Sequence, residues 1–464
     1  MVPDGPPTGP CDEDRYPDGS VRPLYQTLLA ALERIDLLKL SAAVKRRLAR
    51  DGVSFGELPF IVDPVPRLIA AEEWTQVERG LAQRTRALNE FLRDVYGERR
   101  IVAAGIVSAN TIEDAEGYEP DLQGRLPAAF APPAPIVGFD LVRHPDGRFL
   151  VLEDNLRTPS GIAYLVAARA AVLAALPAAL PRPRPVDPAI YELLESTLRA
   201  AAPAAAAEDP VIVVVTDGPG NVAHYEHECI AKALDIPLLT PDQLLADAHG
   251  LAHRDGDGER RRVDVVYRRT DEDRICDEQG AITAIGQLLV PPWLSGQIGL
   301  VNAFGNGVAD DKLVHGHVED FVRFYLGEEP LIASVPTRSL HSPQAARDAI
   351  EHLTELVIKP RHGHGGTGVT IGSHAGEAEL ASARVELELH PERYIAQPIV
   401  PLSRHPTVID GRLQPRHLDL RPFAFYAGDV ALAPGGLSRV AFDEAEMVVN
   451  SSKHGGGKDT WVLE

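Results

Sequence analysis

Apolar residues recur at helical spacing over residues 24–50 and again over residues 72–96. Within the second run WTQVERGLAQRTRALNEFLRDVYG predicts the clearer helix, stopped by Gly97. Two β-rich runs, APIVGFDLV and RFLVLEDN, flank a Pro-Asp-Gly turn and predict a β-hairpin. Farther on, VIVVVTDG is a continuous apolar run ending in a glycine loop, followed by the helix-like HYEHECIAKALDI and then PLLT. That order opens a βαβ unit and predicts a parallel-sheet domain over residues 210–294. The alanine-rich stretch 162–180 is interrupted by Arg169 and Pro177, so it reads as a buried or half-buried helix and not as a membrane span. Proline-rich PAALPRPRPVDP and AAPAAAAEDP bracket a further helix as exposed connections, and residues up to Gly19 read as an unstructured tail.

Composition narrows the classes. The chain has 464 residues, 44% hydrophobic and 24% charged, an ordinary balance for a protein with sizeable cores. A net charge of -21 argues against a nucleic-acid partner, because a phosphate backbone needs a basic surface. The short run Glu259-Arg-Arg-Arg-Val reads as a solvated edge. Cys11, Cys229 and Cys276 are odd in number and widely spaced, implying no disulfide framework, and the opening residues lack the apolar core of a signal peptide. A reduced, cytoplasmic setting with no membrane partner is expected. Lysines are few, and Lys359, Lys453 and Lys458 sit in or beside glycine-rich loops, where a compact ammonium suits a phosphate.

The stretch ELVIKPRHGHGGTGVTIG, residues 355–372, contains G-x-G-x-x-G. A dinucleotide fingerprint needs a helix opening at the last glycine. Here VTIG, another strand, follows the loop, so that reading fails. A P-loop fails too, since no G-x-x-x-x-G-K-[ST] occurs. What remains is a hairpin with Lys359 at the end of its first strand. It is either a flap over nucleotide phosphates or a glycine turn with no ligand. Upstream, Glu153 and Asn155 stand two apart on a strand and project from one face. With Asp140 they would make a hard-oxygen set suited to Mg2+. A two- or four-residue loop around 145–147 puts Asp140 on that face; a three-residue loop needs a bulge. No metal site is expected at His224, His227 and Cys229, whose spacing on one helix suits no common zinc pattern, nor at His315 and His317.

Taken together, D-x12-E-x-N across a hairpin, the lysine and glycine hairpin, and the strand ERYIAQPIV resemble an ATP-grasp enzyme. The metal strand precedes the lysine, an order that resembles the circularly permuted ATP-grasp family. The resemblance runs over most of the chain through VDPVPRLI, VLEDNLRTPSG, VDVVYRRTDED, GLVNAFGNGVADDK, LVIKPRHGHGGTG, LDLRPFAFYAG, APGGLSRVA and VVNSSKHGGGKDTWVL. It implies an α/β (α+β) fold: a tail over 1–20, a helical region with the metal-binding part over 21–205, a Rossmann-like αβ domain over 206–300, and the lysine, hinge and C-terminal glycine loop over 301–464.

The resemblance further implies that Asp140, Glu153 and Asn155 hold Mg2+. Lys359 with Gly363, Gly365, Gly366, Thr367 and Gly368 would hold ATP phosphates, and Gln397, Pro398, Ile399 and Val400 would form the adenine hinge. Arg157, Arg421, Arg439 and Lys458 are the candidates for charge work at the transferring phosphoryl group or the substrate carboxylate. Asn221, Tyr225, Glu226 or His227 would reach a substrate pocket. The implied activity is ligation: a small-molecule carboxylate becomes an acyl phosphate and an amine, amino acid, peptide or thiol attacks it, releasing ADP. A phosphotransferase on the same scaffold and a non-catalytic nucleotide-binding module are the rival readings. An oligomer is possible on this sequence.

Overall fold

The computed structural model describes residues 11–126, 132–248, 250–277, 279–363, 367–443 and 455–464. The first apolar-periodic run forms two helices, Pro23–Leu32 and Leu37–Arg50. Asp36 separates them, its carboxylate accepting from the Lys39 backbone N–H to cap the second. The second run forms one helix, Ala71–Val95, with Glu72 and Glu73 in its first turn, where acidic groups offset the free backbone N–H groups.

That helix lies on a seven-stranded sheet in the order Ala333–Ser334, Phe149–Asn155, Ile136–Arg143, Arg421–Ala427, Asp429–Ala441, Gly455–Leu463, Val62–Ala70. Val137, Phe139, Leu141 and Val151 join Phe91 and Leu92 of the helix in one apolar core. The helix Ile162–Ala175, which stops before Pro177, shares the second core with Phe423, Phe425 and Trp461. The final strand runs parallel to Val62–Ala70.

The predicted βαβ segment is a parallel four-stranded sheet ordered Gly299–Val301, Val265–Arg269, Ile212–Thr216, Leu238–Leu239. The arginine run becomes the exposed edge strand Arg260–Arg262. A smaller antiparallel sheet, Arg338–Ser339, Tyr394–Pro398, Leu356–Pro360, Thr370–Ile371, carries the lysine and glycine hairpin. The helices Pro343–Glu351 and Glu377–Leu389 cover it through Ala349, Ile358, Ala383 and Leu387.

One expectation is corrected at the N-terminus. The tail was expected to be unstructured up to Gly19, yet Glu13 N–H donates to the Arg404 carbonyl at 2.9 Å and the Glu13 carboxylate is buried against Arg67. Residues 12–15 and 20–22 are therefore tied into the fold by backbone pairing. The three cysteines are free. Among the described residues no helix is long and apolar enough to cross a membrane.

Candidate functional site

The hairpin Ile136–Arg143/Phe149–Asn155 turns through residues 144–148, and a bulge between Asp140 and Leu141 resets the pairing so that Asp140 stands opposite Glu153. The five-residue turn alone would leave Asp140 opposite Leu152; the extra residue brings it onto the face of Glu153 and Asn155. Asp154, between those two, points the other way. Its buried carboxylate accepts from Arg84 at 2.6 and 2.7 Å and meets His315 Nδ1 at 2.6 Å.

Facing this strand, Lys359 stands one residue before the end of the strand Leu356–Pro360 with its Nζ 3.7 Å from Glu153 Oε1. Burial draws its ammonium below the ordinary value against the pull of Glu153. Residues from the two halves of the chain thus meet across one cavity of about 730 Å³. Its apolar end is formed by Val142, Leu152, Val335, Val357, Val400 and Leu402 with the hinge residues Gln397, Pro398 and Ile399. Gln397 is fixed there by donating to Thr337 Oγ1 at 2.9 Å. Gly363 and Thr367 line the cavity; Gly365 and Gly366 lie outside the described residues. Gly368 has φ +73° and packs where a Cβ would meet Pro360 at 2.9 Å, so glycine is required at that corner.

Arg157, Arg421 and Arg439 line the cavity as well. Arg421 grips Asp140 at 2.7 and 2.9 Å, and Arg439 reaches it at 2.8 Å while also holding Asp419. Burial pushes the Asp140 carboxyl up, and the two guanidiniums more than reverse this, holding it well below the usual carboxylate range. Arg157 is paired with Asp273 and remains partly exposed.

Two expectations are corrected here. Lys458 does not reach the cavity: GGGK is not a loop but the start of the strand Gly455–Leu463, and the fully buried ammonium donates to Asp63, to the Val65 carbonyl at 2.9 Å and to the Pro406 carbonyl at 3.1 Å. Lys453 lies outside the described residues. Asn221, Tyr225, Glu226 and His227 are absent from the cavity wall. Glu226 instead accepts from the Gly161 and Ala163 N–H groups, and His227 is a buried neutral imidazole on Thr216, its pKa pushed by burial to about 2. His315 serves Asp154, and no cluster of three or more His, Cys, Asp or Glu able to hold a metal occurs among the described residues.

Glu153 lines the cavity with Lys359 Nζ 3.7 Å from it, and the Asn155 amide has a buried nitrogen with no hydrogen-bond partner among the described residues, a position its oxygen takes after a half-turn. Those two fit a cation that takes few protein oxygens. Asp140 fits poorly, because both its oxygens already accept guanidinium N–H groups.

At the polar end stand groups that sequence reasoning passed over: Glu116, Asp310, Asp311, Lys312, Arg361 and His362. Lys312 donates to the Gly363 carbonyl at 2.9 Å and so ties the glycine loop, while Arg361 pairs with Asp311 at 3.2 Å. Asp310 accepts from the Leu156 N–H at 2.6 Å, and burial raises its carboxyl to about 7. The signal was the ADDK that follows the turn FGNG, quoted within the family motif without a role for its side chains.

A family model described as circularly permuted ATP-grasp type 2 matches residues 66–441. A Frankia alni protein provisionally named glutamate–cysteine ligase 2-3 is 42% identical over 96% of this chain and 53% of its own length. A Frankia casuarinae protein provisionally named glutamate–cysteine ligase 2-2 is 41% identical, over 98% and 54%. The chain therefore spans about half the length of these two relatives. An uncharacterized protein of Mycobacterium tuberculosis is 38% identical over 97% of this chain and 84% of its own. Among solved structures, a glutathione synthetase-like effector from Globodera pallida in its apo form superposes with a TM-score of 0.56 at 14% identity, over 92% of this chain and 97% of that one; it bears on the fold alone.

Proposed function

The chain belongs to the circularly permuted ATP-grasp type 2 family, and on that footing we propose that it is an ATP- and Mg2+-dependent ligase. In this reading it activates a carboxylate as an acyl phosphate for attack by an amine or thiol, with release of ADP and phosphate. The observation that carries the reading is the approach of Lys359 to Glu153 at 3.7 Å, across a cavity with an apolar slot at one end and arginines at the other. A nucleotide has the same polarity: a flat apolar base and a charged tail.

Gln397, Pro398, Ile399 and Val400, with Val142, Leu152 and Val335, would receive the base. Lys359 and the loop from Gly363 would neutralise and wrap the phosphates, an electrostatic task that needs fixed charge more than covalent chemistry. Glu153 and Asn155 would hold Mg2+, which when bound neutralises the charge moving between phosphate oxygens. Asp140 would act as the counter-ion that aims Arg421 and Arg439, leaving those guanidiniums to orient the carboxylate and steady the acyl phosphate. Arg157 would serve beside them. Holding the reacting oxygen in line adds to that electrostatic stabilisation.

The relatives' names make L-glutamate the first acid to test and cysteine the first nucleophile. Enzyme, ATP, Mg2+ and hydroxylamine are incubated with a panel of acids headed by L-glutamate. A hydroxamate with stoichiometric ADP supports the ligase. A stable phosphorylated acid without hydroxamate identifies a phosphotransferase, AMP as the product overturns acyl phosphate chemistry, and no ATP consumption with any acid leaves a binding module.

A further inference from the structure

Two residues beyond Lys359 stands Arg361, whose backbone N–H donates to the Arg393 carbonyl at 2.8 Å, so the pairing of the strand Leu356–Pro360 continues through it. Residues two apart on an extended chain project from one face, and both side chains line the cleft. Arg361 is 4% exposed. Its Nε donates to Asp311 Oδ2 at 3.2 Å and its Nη2 to the Thr111 carbonyl at 2.9 Å. Asp311 is itself fixed, accepting from the Leu313 and Val314 N–H groups at 2.8 and 3.1 Å. One guanidinium thus joins the glycine hairpin to the start of the helix Lys312–His315 and to the helix Ala109–Glu113.

The small sheet that carries Lys359 packs on its own apolar cluster, which includes Leu340, Ile358, Leu387 and Ala396 and shares no residue with the two large cores. The other ties at the root of the glycine loop are polar: Lys312 Nζ donates to the Gly363 carbonyl at 2.9 Å, and His362 Nδ1 accepts from the Glu116 N–H at 3.4 Å. Apolar contact is non-directional, whereas a guanidinium held at two points fixes distance and angle. A buried ion pair gives little net stability, because desolvation offsets its attraction, so what this one supplies is position.

We propose that Arg361 is a positioning residue: held by Asp311 and Thr111, it sets the place of Lys359 across the cleft from Glu153, and with it the place of the nucleotide's terminal phosphates. The proposal rests on the reading of Lys359 as a phosphate ligand and goes beyond it by naming what fixes that lysine.

A double-mutant cycle between this anchor and Lys359 tests it, read by calorimetric titration with a non-hydrolysable ATP analogue and Mg2+. Binding alone is measured, so the outcome does not depend on which acid is turned over. The anchor is removed by Arg361→Met/Asp311→Asn, which takes out both charges together and strands neither, while asparagine still caps the helix. Lys359→Met is expected to weaken the analogue about ten-fold or more in the wild-type background and less than roughly three-fold in the anchor-free background, where the lysine no longer meets the phosphates. AMP, which lacks the terminal phosphates, should bind all four proteins within roughly three-fold. A merely structural pair gives equal Lys359→Met losses in both backgrounds, whatever it does to stability, and that result overturns the proposal while leaving Lys359 on the phosphates. No loss for Lys359→Met in the wild type overturns the phosphate reading, and the proposal with it. Should the double variant not fold, Arg361→Lys carries the same cycle: it keeps a cation for Asp311 and drops the donor to Thr111. The Lys359→Met loss should then shrink by roughly three-fold or more, and an undiminished loss overturns the proposal.

Discussion

Lys359→Met probes the cleft at its most charged point. The ammonium lies 3.7 Å from the Glu153 carboxylate and its side chain is 8% exposed. At an effective dielectric near 20, opposite charges at that distance attract by roughly 4–5 kcal/mol. Desolvation outweighs this attraction, since the ammonium pKa is lowered despite Glu153. The variant therefore loses little stability: Glu153 is about one-third exposed and turns to water, and the denaturant midpoint should match or exceed that of the wild type. Nucleotide binding should suffer instead. A charge-assisted hydrogen bond to phosphate contributes about 1.5–3 kcal/mol, which converts to a roughly 10- to 150-fold weaker dissociation constant. Calorimetric titration with a non-hydrolysable ATP analogue and Mg2+ measures it, with AMP as the control that lacks the terminal phosphates. The sign with pH is fixed: a lowered pKa means the ammonium deprotonates before the ordinary 10.5, so wild-type affinity should fall as pH rises through that alkaline window, while Lys359→Met stays flat. Analogue affinity within three-fold of wild type, or equal losses for AMP, would refute the assignment.

Three further outcomes separate the roles of the charged groups. Glu153→Gln should raise the Mg2+ concentration for half-maximal activity roughly 10- to 100-fold, whereas Asp140→Asn should leave it within about three-fold and instead lower stability by about 3–5 kcal/mol, since Arg421 and Arg439 lose their shared anion. Lys458→Met should cost about 3–5 kcal/mol in urea unfolding by stranding buried Asp63, with Lys458→Met/Asp63→Asn recovering part of it and nucleotide affinity unchanged in both. Asp310→Asn should stabilise the fold at pH 8 by up to about 4 kcal/mol, because a buried carboxyl that ionises near 7 instead of 3.8 penalises the folded state once charged. The gain should shrink as pH falls below 7, to about 1.5–2 kcal/mol at pH 5, and vanish below 3.8, where the carboxyl is neutral in the unfolded chain as well; a gain undiminished at pH 4 counts against the assignment.

The sequence was most legible where chemistry and periodicity coincide. Glu153 and Asn155 share a face because a strand alternates, and that needed only their spacing. Asp140 joined them through a bulge, which no turn-length argument fixes in advance. Lys359 was legible as a lysine at a strand end before a glycine loop. Lys458 misled for the same reason: Gly455, Gly456 and Gly457 suggested a flexible loop, but Gly456 and Gly457 pack where a Cβ would meet Phe442 and Phe60 at 2.5 and 2.8 Å, so they are glycine for room within a sheet. The metal role inferred for Asp140 was silent about Arg421 and Arg439, hundreds of residues away in sequence and in contact only after folding. Arg361 was passed over for a related reason, since an arginine beside a glycine loop shows what it holds only once its surroundings are assembled.

Asp154 carries a warning for mutational scans. It sits between the two residues offered to the cation, yet its own oxygens are turned inward to Arg84 and His315. Loosening that inward anchor lets the strand roll and misdirects its neighbours on either side. A screen that scores turnover alone will therefore rank Asp154 with the groups that touch ligand, although its work is that of a keel.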